Sequence, residues 1–195
     1  MAANRLLFWM VAAVSLIGMV GAGYLLFVHF SEKNNSDSRL IPKMVSQKPA
    51  PGSGKSKKTV YLYFSDEKNS YLVPEERVLF VSEDPLEMGK TIINDLIQGP
   101  RGSLGRTIPG DATLNAFYLS KDGTAFVDFS DIIREKHPGG SQTELLTVYS
   151  IVNSIALNIP QVQRVKILIE GREALTLAGH IDLTSPLPAD MIIVR

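Results

Sequence analysis

Apolar and polar residues follow three regimes along the chain. From Leu6 to Phe30 runs a stretch of 25 residues with no Asp, Glu, Lys or Arg, interrupted only by Ser15, Gly18, Gly21, Gly23 and His29. A helix of that length spans roughly 37 Å at ~1.5 Å per residue, enough for a ~30 Å hydrocarbon core with some tilt. Trp9 near one end and Tyr24 and His29 near the other suit the two interfaces. A buried soluble helix this long would show a polar face, which is absent. A cleaved signal peptide needs a shorter apolar region of ~7–15 residues and a small-x-small site. The flank here is Leu26-Phe27-Val28-His29-Phe30, so the pattern predicts an uncleaved transmembrane signal anchor. Arg5 faces Lys33, Arg39 and Lys43 across the run, so the basic residues alone do not orient it. The very short basic tail, residues 1–5, does: it places that tail in the cytoplasm and the rest of the chain outside. Gly18 and Ala22 have the small-xxx-small spacing that packs two such helices, and ordinary glycine content explains the pair as well.

The second regime, residues 31–58, is polar and then rich in Pro, Gly, Ser and Lys. Such composition buries too little apolar area to order itself, so it reads as a flexible tether. Gly54-Lys55-Ser56 imitates the end of a phosphate loop, but position 49 holds Pro49 where the motif needs glycine. Asn34-Asn35-Ser36 is formally a glycosylation sequon, with meaning only in a eukaryotic source. The tether lysines could touch anionic lipid or wall polymer, and a solvated linker accounts for them equally.

The third regime, 59–195, alternates between strand and helix periods. Thr59–Phe64 is β-branched and aromatic, Asp66–Ser70 reads as a turn, and Tyr71–Val81 returns as a second strand. Pro74 in that strand cannot donate to a ladder, so the strand is an edge or is bulged there. Asp84 caps a helix with Pro85 in its first turn and Glu87 in a box-like pairing; Leu86, Ile92, Ile93, Leu96 and Ile97 form its stripe. Gly99-Pro100 ends it. Thr113–Ser120 and Thr124–Phe129 flank Lys121-Asp122-Gly123, a hairpin signal. Gly139-Gly140 breaks the chain. Ser141 with Glu144 forms a capping box for a second helix reaching Ile159, with Leu145, Val148, Tyr149, Val152, Ile155, Ala156 and Ile159 as its stripe. Arg164–Glu170 alternates, with Val165, Ile167 and Ile169 inward; Gly171 turns it and Ala174–Leu177 returns. The order β-β-α-β-β-α-β-β predicts an α+β fold, a compact mixed or antiparallel sheet with two helices on one face.

Charge sharpens the division. The chain has 20 basic and 20 acidic side chains, yet residues 1–58 carry eight basic against two acidic (+6) and residues 59–195 twelve against eighteen (−6). The acidic body excludes non-specific nucleic-acid binding. The absence of cysteine excludes thiol nucleophiles, disulfides and Cys-type zinc sites. Three scattered histidines lack metal-ligand spacing, so neither a metal nor another cofactor is expected.

The 59–187 region resembles the GerM domain, or sporulation and spore germination domain. The residues that carry the likeness are Val60-Tyr61-Leu62-Tyr63-Phe64, the helix exit Gly99-Pro100, Val127-Asp128-Phe129-Ser130, Gly139-Gly140-Ser141 with Glu144, Val165 to Gly171, and Gly179-His180-Ile181-Asp182-Leu183. The resemblance implies a compact domain, similar to the ring-building motifs of envelope assemblies, on the outer side of the bacterial cytoplasmic membrane, without enzymatic activity. Some family members carry two copies; this chain has one. The tail from Pro188 to Arg195 lies beyond the pattern, where it could add a short strand.

Anchor, tether and domain together predict a single-pass envelope protein held to the membrane through Leu6–Phe30. Its domain docks on an envelope protein or on copies of itself, with possible peptidoglycan contact. Two other functions are open. A wall-acting enzyme would use Asp128, Glu144 or His180. His180 and Asp182 share one face of an extended segment, and Asp128 with Glu144 would make a carboxylate pair. The plainer readings are a turn histidine, a strand-end Asp128 and a capping Glu144. His137, before Pro138, reads as an exposed loop residue. A glycan- or lipid-binding module would use Arg101 and Arg106, which flank Gly102 and Gly105 and could hold an anion; a solvated loop is the plainer reading. Gly99, Pro100, Gly123, Gly139, Gly140, Ser141, Gly171 and Gly179 are assigned structural roles.

Overall fold

β1 (Lys55–Ser65) and β2 (Leu72–Ser82) form a long antiparallel hairpin that stands as its own two-stranded sheet. The computed structural model describes residues 54–195. The signal anchor expected over Leu6–Phe30, the tail before it and nearly all of the tether lie outside the described residues. Among the described residues no helix is long and apolar enough to cross a membrane.

After the hairpin come α1 (Pro85–Gln98), β3 (Leu114–Leu119), β4 (Thr124–Phe129), a one-turn α2 (Ile132–Glu135), α3 (Ser141–Ala156), β5 (Arg164–Ile169) and β6 (Arg172–Glu173). The second sheet has the order β3-β4-β5-β6. β4 and β5 pair in parallel across α2 and α3, and the other pairs are antiparallel. The expected single sheet is therefore two sheets. The division has a physical cause in α3, which is buried at Glu144, Leu146–Val148 and Ser150–Ile155, almost all round. A helix so enclosed needs cover on more than one side, and α3 touches both β1 and β5. α1 likewise touches β2 and β3. One continuous core joins the layers: Val60, Leu62 and Phe64 from β1, Ile92 and Leu96 from α1, Val127 and Phe129 from β4, Val152 and Ile155 from α3, and Val165 and Ile167 from β5.

Other elements depart from the sequence pattern in instructive ways. Lys55–Lys58, assigned by composition to the tether, are strand, in register with Leu79–Ser82. Backbone pairing does not require apolar side chains, and Lys57 lays its ammonium over the Phe80 ring at 5.3 Å. Counted from Lys55, the folded body has fifteen basic and eighteen acidic groups, so its net charge is −3 rather than −6. Pro74 produces no bulge: it stands opposite Tyr63 in an unbroken register. Tyr63 bonds its N–H to Ser154 Oγ at 3.1 Å and its C=O to Ser150 Oγ at 2.6 Å, both on α3. Tyr63 thus faces away from β2, so the N–H that Pro74 lacks would also have pointed outward.

β5 is buried on both faces, Lys166 and Leu168 included, because the segment 183–187 crosses it; Lys166 Nζ donates to the carbonyls of Leu183 and Thr184 at 2.9 and 2.6 Å. The returning strand expected at Ala174–Leu177 is not formed there; the return is the two residues of β6, immediately before it. The tail adds a single bridge, Leu72 to Val194. With Tyr63, Leu146 and Tyr149 it closes a second, smaller core.

α1 begins as its sequence predicts, with Asp84 Oδ1 accepting the Leu86 N–H at 3.0 Å and Pro85 in the first turn. Glu87, however, pairs with Lys90 at 2.7 Å instead of completing a box. Gly89 sits where α1 crosses β3, and a Cβ there would collide with the Phe117 ring. Gly89→Ala should therefore cost about 1–3 kcal/mol by overpacking, despite alanine's better helix propensity. Adding Phe117→Leu should recover part of the loss. Urea unfolding of the three chains measures this, and a neutral or stabilising Gly89→Ala would overturn it.

Candidate functional site

Of the residues nominated from sequence, only Glu144 and His180 come together. Glu144 lies in the first turn of α3, but the helix is capped by Gly140 without a side-chain bond, so no box forms with Ser141. Gly140 takes φ 85°, and Glu144 N–H bonds its carbonyl at 3.0 Å. The Glu144 side chain is thus released toward the loop 177–181, where it is fully buried. Oε1 accepts the N–H groups of Leu177 and Ala178, each at 2.8 Å. Oε2 accepts the His180 N–H at 2.8 Å and His180 Nδ1–H at 3.0 Å. A carboxylate offers about four lone-pair sites, and here all four are taken.

Burial by itself would push the Glu144 carboxyl up. The N–H donors of Ala178, His180 and Ile181, with the His180 ring, outweigh it and hold the group below the usual carboxylate range. The imidazole is about half exposed and roofs the carboxylate. Among the described residues no hydroxyl is hydrogen-bonded to its other nitrogen.

A second histidine, missed as a packed residue, lies near the same carboxylate. His137 is half-buried rather than exposed. Its Nδ1 accepts the Gly139 N–H at 3.0 Å, which leaves Nε2–H to donate to Thr147 Oγ1 at 3.1 Å. Burial lowers its pKa, and the nearby Glu144 charge offsets this only in part. The sequence signal was the i, i+3 spacing of Glu144 and Thr147, two polar residues on the turn of the helix that follows the histidine loop.

The remaining nominees serve the chain locally. Asp128 Oδ1 accepts the Gly171 N–H at 2.8 Å and makes no bond to Glu144. Asp182 Oδ1 accepts from Thr184 N and Oγ1 at 2.8 and 2.6 Å, a turn closure that does not include His180. These bonds hold the Asp182 carboxyl below its ordinary range. Arg106 lays its guanidinium on the last carbonyls of α1, bonding Ile97 O and, at 2.6 Å, Gln98 O. Gly99 takes φ 90°, a conformation side chains rarely adopt, and a Cβ there would push this guanidinium aside. Arg101 points outward, with its backbone N–H on Glu75 and its guanidinium 3.8 Å from Asp95. Gly123, Gly139, Gly171 and Gly179 also take positive φ, and Pro100 follows the α1 cap.

Two buried cations escaped the sequence reading. Arg77 bonds Glu75, the Asp95 carboxylate at 2.6 Å, and the carbonyls of Asp95 and Gly99. It also packs over the Phe64 ring. Its inward phase with Leu79 and Val81 was the available signal. Lys166 is the other.

Comparison with known proteins places most of the folded region in a family. The family model described as "Sporulation and spore germination" (Germane) matches residues 61–175. Among solved structures, the first GerMN domain of the sporulation protein GerM from Bacillus subtilis is 26% identical with a TM-score of 0.55, over 67% of this chain and 97% of that one. The tandem GerMN domains of the same protein are 24% identical with a TM-score of 0.53. That match covers 68% of this chain and 46% of the tandem. No curated protein matches the chain.

The Glu144 cradle has a pH signature. A carboxyl whose folded pKa is depressed adds stability in full above its unfolded value of ~4.3 and loses it as pH falls through the folded one. His137, depressed by burial, opposes its own protonation, so acid destabilises through it too, starting below about pH 6.5. Thermal unfolding should therefore show a Tm that declines below about pH 6.5 and falls again below about pH 4.3. Glu144→Gln should cost about 2–3 kcal/mol at pH 7, because whichever oxygen becomes the amide nitrogen then faces two N–H donors, and should shrink the lower step. An unchanged acid limb in that variant would refute the assignment.

Proposed function

Because the chain belongs to the sporulation and spore germination (Germane) family, we propose that it is a membrane-anchored, extracytoplasmic assembly module of the bacterial envelope, working by docking rather than turnover. The observation that carries this reading is the fate of the polar groups. Glu144 has no lone pair left to accept a substrate proton. Asp128 and Asp182 close turns, and Arg106 caps a helix. A general base must reach the proton it removes with an unused acceptor; His180 Nε2 keeps one, but among the described residues no hydroxyl is hydrogen-bonded to it.

Exposed apolar surface supports the docking half of the reading. Tyr61, Val78 and Phe80 are 44, 57 and 61% exposed on the outer face of β1 and β2. The anchor comes from the Leu6–Phe30 run, which supplies the membrane attachment and the outward orientation in this reading.

The test uses the full chain in its cells, with a photo-reactive amino acid in place of Phe80. The expected result is a discrete adduct whose other half is an envelope protein or a second copy. In parallel, the purified full chain should leave peptidoglycan fragments unaltered. Turnover that His180→Ala abolishes without lowering Tm would sink the docking reading.

A further inference from the structure

We infer that the outer edge of β2 pairs with the same edge of a second copy, antiparallel and two-fold symmetric about Val78, joining two hairpins into one four-stranded sheet. This deepens the assembly reading and rests on it.

The first argument is backbone valence. Tyr61, Tyr63 and Ser65 turn their N–H and C=O groups away from β2, toward Asn158, Ser154 with Ser150, and Gly105. Their register partners are Glu76, Pro74 and Leu72, so by alternation the even-numbered residues of β2 turn their groups away from β1. Leu72 is satisfied by the tail, through Ile193 O at 2.8 Å and Arg195 N at 2.9 Å. Pro74 has no N–H. Beyond it, the outward groups of Glu76, Val78 and Phe80 meet no partner among the described residues. The fold covers the β1 edge with α3 at Tyr61 and Tyr63 and one end of the β2 edge with the tail and a proline; among the described residues it leaves Glu76 to Phe80 without cover, and this stretch, unlike Lys55 to Thr59 on the other strand, carries exposed apolar side chains at Val78 and Phe80.

The second argument is self-complementarity, which selects the occupant and narrows the register. Pairing Val78 with its own copy sets Glu76 of one chain against Phe80 of the other. Lys57 is the register neighbour of Phe80 and holds its ammonium over that ring. The partner's carboxylate at position 76 therefore arrives beside Lys57, and the two-fold axis creates this contact twice. A register shifted by two residues one way sets Glu76 against Val78, beside Thr59, and loses the charge match; shifted the other way it sets Glu76 against Ser82, beside Lys55, and the thiol pair at positions 76 and 80 tells that register apart. Val78 and Phe80 of both copies become neighbours on one face, which covers apolar surface now in water.

The chain has no cysteine, so single thiols report cleanly. Val78→Cys in the full chain, in intact cells, should cross-link to itself at least about tenfold faster than Thr59→Cys, since a paired edge holds its thiols at about millimolar effective concentration or above. Thr59 lies on the same face but one strand in, so its copies would sit three strand spacings, about 14 Å, apart. Mixed Glu76→Cys and Phe80→Cys chains should cross-link to each other faster than either does alone. Val78→Pro removes an outward N–H, as Pro74 does naturally, and should abolish the dimer while the Tm stays put. Equal rates at positions 78 and 59, or a Val78→Cys adduct to a different protein, would overturn the self-pairing. In either case an envelope adduct from the position-80 photo-probe leaves the assembly reading standing, whereas no adduct at all removes both.

Discussion

Tyr61 and Tyr63 turn their backbone N–H and C=O groups away from β2, and side chains at three successive turns of one helix face answer them. Ser150, Ser154 and Asn158 run up α3 and into its exit at i, i+4, i+8, so they stack on a single line beside β1. A lone two-stranded hairpin is marginal in water. Here it is completed by a helix acting as a third strand, and the same helix supplies the roof over β5. Without that seam the hairpin would have an open edge on each side and the core would lose Val60, Leu62 and Phe64.

The buried charges extend the same logic. Glu144, Arg77 and Lys166 each leave water and each is met by backbone groups of another element: the loop 177–181, the end of α1, and the segment 183–184. An ion buried with full hydrogen bonding adds little net stability but is very costly to misplace. These three groups therefore specify where loops lie more than they strengthen the fold. That is why the conspicuous polar residues of the candidate site are occupied by the chain itself.

The order and type of the main elements were legible in the sequence, because period and punctuation are local. Gly99-Pro100, Lys121-Asp122-Gly123 and Gly139-Gly140 mark breaks wherever the chain goes afterwards. The split into two sheets was not legible. It follows from α3 being enclosed, and Ser150, Asn153 and Ser154 look like a solvated face until the edge they serve is known. Lys55–Lys58 hid for a related reason: their strand is written in its partner, Leu79–Ser82. In the candidate site, Glu144 and His180 were both visible, but their pairing depends on a loop placed by long-range contacts. Glu144 was assigned to a capping box because S-x-x-E is a local signal, and Gly140 in a left-handed conformation displaced it.

The start of β1 at Lys55 bears on mechanics. A pull delivered through the N-terminal end of this strand along its axis, against a hold at the tail that bridges Leu72 at the hairpin's far end, is opposed by β2. The ladder between Lys55–Ser65 and Leu72–Ser82 is then loaded in shear, with its hydrogen bonds sharing the tension instead of parting one after another. The four residues that composition assigned to slack are the ones that make the attachment point stiff, so a tug on the chain is resisted by a whole hairpin at once.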